Sequence, residues 1–352
     1  MHDMFYSSAA RRMPRFTPMT PKSKDRMPAI LTRLLGFAAA VSLAACASVP
    51  PPAVPAAPAA APATVPIAPF PGISGMAPMA DGRYLVVIDT KSYSSEPRFG
   101  LLDAVAKGGS RFEVLPVDGW DKVGGLSNDL EAVCALPGRG DEFLALESSY
   151  RDDNFGRVLH LRVRDGRIAM LKALQLPRER SNGKDGMGYE GLACQRIDGD
   201  RYLLVLGERG GSQVRPRGSL RLGSFDAGRG RIEWQAGETD LHAPGSWLSV
   251  PPHRDIADLY VDGEGALWAV AASDPDDYGP FRSLVWQVGT LDARNAAHPL
   301  TLASTREPRW IIDGFKVEAV SAPDPRIPGS LLSIGSEDEK LGGVWRALGS
   351  TH

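Results

Sequence analysis

Three glutamates stand at the start of short apolar segments that recur along the chain. Glu131 lies in "DLEAVCAL", Glu190 in "YEGLACQ" and Glu318 in "VEAVSA". Each segment is followed by a turn, a second apolar segment and a further acidic residue. Carboxylate oxygens gathered from distant parts of a chain suit Ca²⁺, because this ion takes six to eight oxygen ligands. These three glutamates are therefore candidate metal ligands.

The glutamate segments belong to a unit that recurs at intervals of about 60 residues. Each unit begins with a hairpin whose turn contains Asp-Gly or Pro-Gly, a strong hairpin signal. The second strand is almost continuously apolar, which is typical of a strand buried on both faces. The five units begin at Gly72, Asp129, Tyr189, Asp255 and Val317.

Alternating strands follow each hairpin, as in Arg157–Leu174. Four antiparallel strands per unit predict an all-β fold, a β-propeller of five four-stranded blades. Six blades, if two units have been merged, and a β-sandwich are the alternatives. The fifth unit has too few strands after Gly342–Leu348, so we expect a segment near Thr64–Phe70 to complete it.

Propeller geometry predicts where the acidic residues meet. The first strand of each blade lines the central channel, and the antiparallel second strand ends at the mouth where the first begins. We therefore expect Glu131 near Glu147, Glu190 near Glu208, and Glu318 near Glu337. The candidate ligand-binding residues are the acids that end the second strands and the basic residues after them: Asp89, Lys91, Glu147, Arg151, Glu208, Arg209, Asp274, Glu337 and Lys340.

A ring of carboxylates at one mouth is unfavourable unless something relieves the repulsion. A bound cation, with Ca²⁺ as the candidate, would do so. Ion pairs with Lys91, Arg151, Arg209 and Lys340 would also do so, as would a wide and solvated opening. The sequence leaves these three arrangements open.

The N-terminal region predicts export and lipidation. Arg33 precedes an apolar run of about a dozen residues, a length typical of a signal peptide and too short to span a bilayer. The run ends in Leu-Ala-Ala-Cys, which resembles the lipobox of bacterial lipoproteins; a buried helix with a chance cysteine is the alternative. We interpret residues 1–46 as a signal peptide whose translation could start at Met27, with Cys46 as the acylated residue.

Ala47 follows the cysteine, a pattern that resembles the default for sorting to the outer membrane. Residues 47–71 are rich in Pro and Ala, which favours an extended linker. Residues 72–352 form the predicted propeller domain. The expected location is the periplasmic face of the outer membrane, with the lipid on Cys46 as the anchor.

Composition excludes several classes of function. Residues 1–45 hold seven of the 40 Lys and Arg residues and two of the 42 Asp and Glu residues, so the remainder has a formal charge of −7. This charge, without a basic stripe, argues against nucleic-acid binding. No G-x-S-x-G or H-E-x-x-H motif occurs.

Cys134 and Cys194 occupy equivalent strands of consecutive units, as a disulfide or as two buried thiols.

"DLEAV", "YEGLA", "VEAV" and "SEDEKLGGVWR" (Ser336–Arg346) resemble inner-strand and last-blade segments of phytase-like β-propellers. In the calcium-dependent phytases of this group, inner-strand acids hold calcium ions that bind phosphate and activate water. The resemblance implies metal roles for Glu131, Glu190 and Glu318. Those enzymes have six blades, whereas five units are counted here, and two units lack the first-strand acid.

We therefore favour a binding module whose acidic mouth holds a small ligand, a cation or a partner protein. The alternatives are a calcium-dependent phytase-like phosphoester or ester hydrolase, and a structural scaffold without chemistry at the mouth.

Overall fold

The structure is a computed structural model. It describes residues 65–66, 72–91, 96–107, 109–148, 156–177, 188–211, 215–245, 253–273, 275, 278–338 and 342–350. The described residues belong to one compact unit, Ala56–His352. Within these ranges, no helix has the length and hydrophobicity needed to cross a bilayer. The predicted signal peptide with Cys46, most of the linker, and Arg151, Asp274 and Lys340 lie outside the described residues.

Five small sheets confirm the all-β fold and the five blades. A single 3₁₀ turn, Trp120–Val123, interrupts the described strands. In chain order, the strands are β1 (Val65–Pro66); β2–β5 (Gly75–Pro78, Tyr84–Val87, Phe99–Asp103, Arg111–Val114); β6–β10 (Val117–Asp118, Leu130–Ala135, Glu142–Glu147, Arg157–Arg164, Arg167–Gln175); β11–β15 (Tyr189–Asp198, Arg201–Glu208, Gly218–Asp226, Arg231–Trp234, Thr239–Leu241); β16–β20 (His253–Val261, Ala266–Ser273, Arg282–Leu291, Leu300–Leu302, Trp310–Asp313); and β21–β23 (Val317–Ser321, Ser330–Ser336, Val344–Gly349).

The blades repeat one arrangement, with the first hairpin strand innermost. Blade one is β2-β3-β4-β5, and blade two is β7-β8-β9-β10 with β6 parallel to β10 at the outer edge. Blades three and four begin at β11 and β16, and two short pieces pair with the third strand of each. The inner strands β2, β7, β11, β16 and β21 contact one another in cyclic order and surround the channel.

An N-terminal strand closes the ring. β1 pairs antiparallel with β23, with Val65 opposite Trp345 and Pro66 opposite Val344, so blade five has the order β1-β23-β22-β21. The expectation that residues near Thr64–Phe70 complete the fifth blade is therefore confirmed.

The core lies between blades. Five apolar clusters occupy the five interfaces between neighbouring blades. The second strands carry side chains into two clusters at once; β8, for example, is buried along its whole length. Successive side chains of a strand enter opposite interfaces, and this explains why the second strands are apolar along almost their whole length.

A disulfide crosses the interface of blades two and three. Cys134 of β7 and Cys194 of β11 are bonded, with Cα atoms 5.8 Å apart and a separation of 60 positions in sequence. The structure therefore shows the disulfide and not two buried thiols. It links consecutive repeat units at their inner strands, beside the channel.

Candidate functional site

A cavity of about 170 Å³ opens at the channel mouth where the inner strands begin. Its wall is polar and mostly charged. The residues lining it are Asp89, Lys91, Asp129, Glu131, Ser148, Gly188, Glu190, Arg209, Arg254, Glu318 and Glu337.

The three glutamates of the repeat converge on this cavity from blades two, three and five. Glu131, Glu190 and Glu318 are all buried. Each lies at a register shift of its inner hairpin, between paired residues 130 and 132, 189 and 191, and 317 and 319. A β-bulge leaves one residue without a cross-strand partner and changes the direction of its side chain. The repeated bulge therefore places each carboxylate at the channel opening.

Blades one and two form one half of the cavity, which we call the open half. It consists of Asp89, Asp129 and Glu131, with Lys91 at its rim. One carboxylate oxygen from each of the three acids lies within 4.8 Å of the others. The Lys91 Nζ atom lies 2.8 Å from Asp89 Oδ2.

Two features of the open half point to a cation. Asp89 Oδ1 is buried and has no hydrogen-bond partner among the described residues. Glu131 is 8% exposed, and no described residue forms a hydrogen bond or an ion pair with it. Ca²⁺ binds oxygen at about 2.3–2.6 Å, so two ligand atoms on opposite sides of one ion lie about 5 Å apart. The spacing of the three carboxylates therefore fits a single ion.

Blades three, four and five form the other half, which we call the paired half. Its acids, Glu190, Glu318 and Glu337, alternate with three cationic groups. The contacts are Arg209 Nη1 to Glu190 Oε1 at 3.2 Å, Arg254 Nη1 to Glu190 Oε2 at 3.3 Å and to Glu318 Oε1 at 2.7 Å, and Lys316 Nζ to Glu318 Oε1 at 3.1 Å and to Glu337 Oε2 at 3.5 Å.

Burial and neighbouring charges shift the pKa of several cavity carboxyl groups. Burial raises the pKa of Asp89 to about 7, although Lys91 opposes the shift. Burial, followed by repulsion from Glu190, raises the pKa of Glu131 well above its usual range. Burial would also raise the pKa of Glu318, but Lys316 and Arg254 together hold it below its usual range. Burial, followed by repulsion from Glu318, raises the pKa of Glu337 well above its usual range in the same half. The cations of the paired half thus favour the ionised form of Glu318, whereas burial penalises the ionised forms of Glu337, Asp89 and Glu131.

Of the four described acids that end second strands, two line the cavity and two do not. Asp89 and Glu337 line the cavity. Glu147 does not; it is paired with Arg157 and accepts a hydrogen bond from the backbone N–H of Asn128. The reason is register, since Glu147 lies opposite Leu130 rather than Glu131. Cross-strand partners share a face, and Leu130 faces a blade interface.

Glu208 departs from the prediction in the same way. It lies opposite Tyr189 and not Glu190. Its carboxylate accepts a hydrogen bond from Ser219 Oγ at 3.2 Å and lies 3.7 Å from Arg215 Nε. Glu147 and Glu208 therefore stabilise blades beside the mouth instead of facing the opening.

The basic residues predicted to neutralise the acids are found beside the cavity where the structure describes them. Lys91 and Arg209 both pair with cavity carboxylates. Arg151 and Lys340 lie outside the described residues.

Sequence reasoning missed three residues of the site, Asp129, Lys316 and Arg254. The first two carried a usable signal, because each lies two positions before a repeat glutamate and such residues lie on the same face of a strand. Arg254 had no such signal. It enters the cavity because β16 has its register shift between Arg254 and Asp258, at a different place from the other blades.

Asp258 is one of two acids in the inner strand of blade four, and it does not line the acidic cavity. Its carboxylate accepts hydrogen bonds from the backbone N–H groups of Leu259 at 2.8 Å and Val320 at 2.9 Å, and also interacts with that of Leu192. Burial raises its pKa well above the usual range despite these donors. Asp258 thus connects the inner strands of blades three, four and five.

A second cavity of about 410 Å³ lies where the inner strands end, and it shares no lining residue with the acidic cavity. Its wall includes small apolar residues such as Ala77, Ala135 and Ala193, and the disulfide of Cys134 and Cys194. The two mouths of the channel therefore differ in chemical character.

Comparison with known proteins identifies a sequence family. The phytase-like family described as "Esterase-like activity of phytase" matches residues 68–305. Among curated protein sequences, none matches the chain.

Solved structures with similar arrangements have low sequence identity. An α-L-arabinofuranosidase from Fusarium graminearum is 12% identical, with 81% of this chain and 96% of that one covered and a TM-score of 0.41. A β-fructofuranosidase from Schwanniomyces occidentalis is 9% identical, with 76% and 51% covered and a TM-score of 0.41. A candidate oxidoreductase of the glucose dehydrogenase type from Thermus thermophilus is 14% identical, with 80% and 97% covered and a TM-score of 0.38. At these scores the likeness carries no argument about activity.

Proposed function

We propose, from the premise that this chain belongs to the phytase-like family, that its acidic channel mouth binds Ca²⁺ and that the protein acts as a binding module. Asp89, Asp129 and Glu131 would hold the ion, with water completing its shell. The observation that carries the proposal is the open half itself, where a buried oxygen of Asp89 has no hydrogen-bond partner and the buried Glu131 carboxylate has no ion pair among the described residues. A bound Ca²⁺ would supply positive charge and open coordination positions at the mouth.

The size of the cavity favours an ion over a bulky organic ligand within it. Its volume is about 170 Å³. Small-molecule sites usually measure about 300–1,000 Å³. A partner or ligand would therefore bind from outside the cavity, by replacing water molecules that coordinate the bound Ca²⁺.

Calcium binding is tested by isothermal titration calorimetry on the purified protein after EDTA treatment. We expect saturable binding that Asp89→Asn and Glu131→Gln each weaken strongly. Glu233→Gln, on an exposed outer strand, is the control and should bind as the unmodified protein does. If both cavity variants bind Ca²⁺ as tightly as the unmodified protein, the calcium site does not lie in the open half.

Turnover distinguishes the binding module from the hydrolase. Phosphoester and carboxyl-ester substrates should be tested with calcium and with EDTA, using Glu131→Gln as the matched variant. A binding module gives a calcium-dependent rise in melting temperature without turnover. Calcium-dependent cleavage that Glu131→Gln abolishes would instead establish the hydrolase.

We also propose that the protein is tethered to the periplasmic face of the outer membrane through a lipid on Cys46. The support is the lipobox-like sequence before Cys46 and the Pro- and Ala-rich residues after it. In cells, Cys46→Ser should abolish palmitate labelling and move the protein from the membrane fraction to the soluble fraction. Retention of label and membrane association in that variant would refute the tether.

A further inference from the structure

The second cavity becomes more polar towards its opening. The inner strands run from the acidic cavity towards this opening, so residues later in each strand lie nearer to it. Along β11 the lining residues run from Leu192 to Gln195 and Arg196. Along β16 and the turn after it they run from Leu259 to Asp262. A molecule that matches this arrangement has an apolar body and one polar end.

The inner end of the second cavity is held in place by the buried carboxylate of Asp258. This group binds the backbone N–H groups of Leu259 and Val320 and interacts with that of Leu192. All three residues line the cavity, so the strands around its inner end are connected without a ligand. The volume of about 410 Å³ lies within the range of roughly 300–1,000 Å³ that is usual for small-molecule sites.

Two charged residues line the cavity near its opening, and they differ in remaining hydrogen-bonding capacity. The carboxylate of Asp262 accepts hydrogen bonds from two backbone N–H groups of its own turn and from Trp268 Nε1. Arg196 donates from Nε to the Gly199 carbonyl at 3.1 Å. No described residue forms an ion pair with Arg196. The opening therefore offers donors for an anionic group, whereas the acceptors of Asp262 are already used.

The Arg196 guanidinium lies between the hairpin turns of blades two and three. Its Nε atom is bonded to Gly199 of the blade-three turn. Its Nη1 atom lies so close to Gly138 of the blade-two turn that a Cβ atom there would be 2.6 Å away. Tyr260, another lining residue, has a hydroxyl group without a hydrogen-bond partner among the described residues. The guanidinium and this hydroxyl are the donors that a ligand could use.

We propose that the second cavity binds an amphipathic organic anion, a monocarboxylate whose apolar body lies between the inner strands and whose carboxylate contacts Arg196 and Tyr260. This site goes beyond the proposed function, since the two cavities share no lining residue. Medium-chain fatty acids are the simplest members of this class of ligand.

Calorimetry with octanoate and octylammonium tests the sign of the ligand charge, because the two probes share one apolar chain. At pH 8 in EDTA we expect one equivalent of octanoate to bind, more tightly than octylammonium. Glu131→Gln should bind octanoate as the unmodified protein does, which separates this site from the calcium site. Failure of octanoate to bind saturably, or tighter binding of octylammonium, would overturn the proposal and leave calcium binding untouched.

Charge reversal at Arg196 locates the carboxylate. Arg196 is exposed, so its substitution should leave the fold intact. Arg196→Glu should lower the ratio of octanoate to octylammonium affinity by about tenfold, because one exposed ion pair is lost and another is gained, each worth roughly threefold. Arg231→Glu, on the exposed outer strand β14, makes the same charge change away from the cavity and should leave the ratio unchanged.

Tyr260→Phe provides an independent readout, since it removes the hydroxyl and keeps the ring. Loss of one hydrogen bond should weaken octanoate binding by about threefold to tenfold. If Arg196→Glu leaves the affinity ratio unchanged and Tyr260→Phe binds octanoate as tightly as the unmodified protein, octanoate binds elsewhere and the assignment of the second cavity is wrong.

Discussion

Glu131→Gln should change stability in opposite directions with and without calcium. The Glu131 carboxylate is buried and lies within 4.8 Å of acidic oxygens from Asp89 and Asp129. Two like charges about 5 Å apart at an effective dielectric constant of about 20 repel by roughly 3 kcal/mol. Lys91 offsets part of this repulsion, so in EDTA at pH 8 we expect the neutral variant to gain about 1–2 kcal/mol in unfolding free energy. That gain corresponds to roughly 2–8 °C in melting temperature.

Calcium should reverse the order of the two proteins. An ion present at 100 times its dissociation constant stabilises the folded state by about 2.7 kcal/mol, or roughly 5–10 °C here. The variant, with one ligand lost, should show little of this rise. Thermal unfolding followed by circular dichroism, in EDTA and in calcium, measures both effects. If Glu131→Gln lowers the melting temperature in EDTA and retains the full calcium shift, the carboxylate is structural and the reasoning fails.

The same carboxyls give a pH signature in the unmodified protein. The pKa of Asp89 is raised from 3.8 to about 7, so the folded state holds a proton that the unfolded state releases. Stability in EDTA should therefore fall as pH rises from about 4 to 7. Calcium should remove most of this fall, because the ion replaces the proton as the neutralising charge. A calcium effect that is equal at pH 5 and at pH 8 would contradict this coupling.

Three further predictions concern the scaffold. Replacing Cys134 and Cys194 with alanine opens a loop of 60 residues and should lower the unfolding free energy by about 4 kcal/mol, measured by urea denaturation. Burial raises the pKa of Glu142, but hydrogen bonds, chiefly from Arg162 and His160, lower it to about 2. The ionised Glu142 therefore stabilises the fold above pH 4.5, and this stabilisation is lost as the pH falls to 2. The difference in melting temperature between Glu142→Gln and the unmodified protein should vanish over that interval. Deletion of residues 1–66 removes β1, and it should lower the melting temperature relative to a deletion of residues 1–56, which retains the strand; equal values would show that β1 does not stabilise the ring.

The propeller architecture could be predicted because the same pattern of strands and turns recurs along the sequence. Turns with glycine, such as the one with Gly199 at φ +45°, delimit hairpins wherever they occur. The apolar second strands follow from burial between blades, which is the same at every interface. Closure by β1 could be predicted because the fifth unit was one strand short.

Side-chain direction at the mouth was harder to predict, because it depends on register and not on the repeat alone. A bulge of one residue separates Glu131 from the position opposite Glu147, and a change of one residue moves a side chain to the other face. The spacing of the acids along the chain therefore predicts the end of the sheet at which they lie, but it does not predict the face on which the side chains of Glu147 and Glu208 lie.

The departures from the repeat determine the chemistry of the mouth. A strict repeat would place a bulged glutamate from every blade at the opening. Blade one has Ser74 directly before its inner strand instead, and the Ser74 Oγ atom accepts a hydrogen bond from the backbone N–H of Asp89 at 3.0 Å. Blade four has a shifted bulge, so Asp258 binds backbone groups below the opening while Arg254 enters the cavity. These changes replace the glutamate with a serine in blade one, and with a cation and an anchored carboxylate in blade four. Both cationic bridges formed by Arg254 and Lys316 therefore lie among blades three to five, whereas the buried oxygen of Asp89 that has no hydrogen-bond partner among the described residues belongs to blade one.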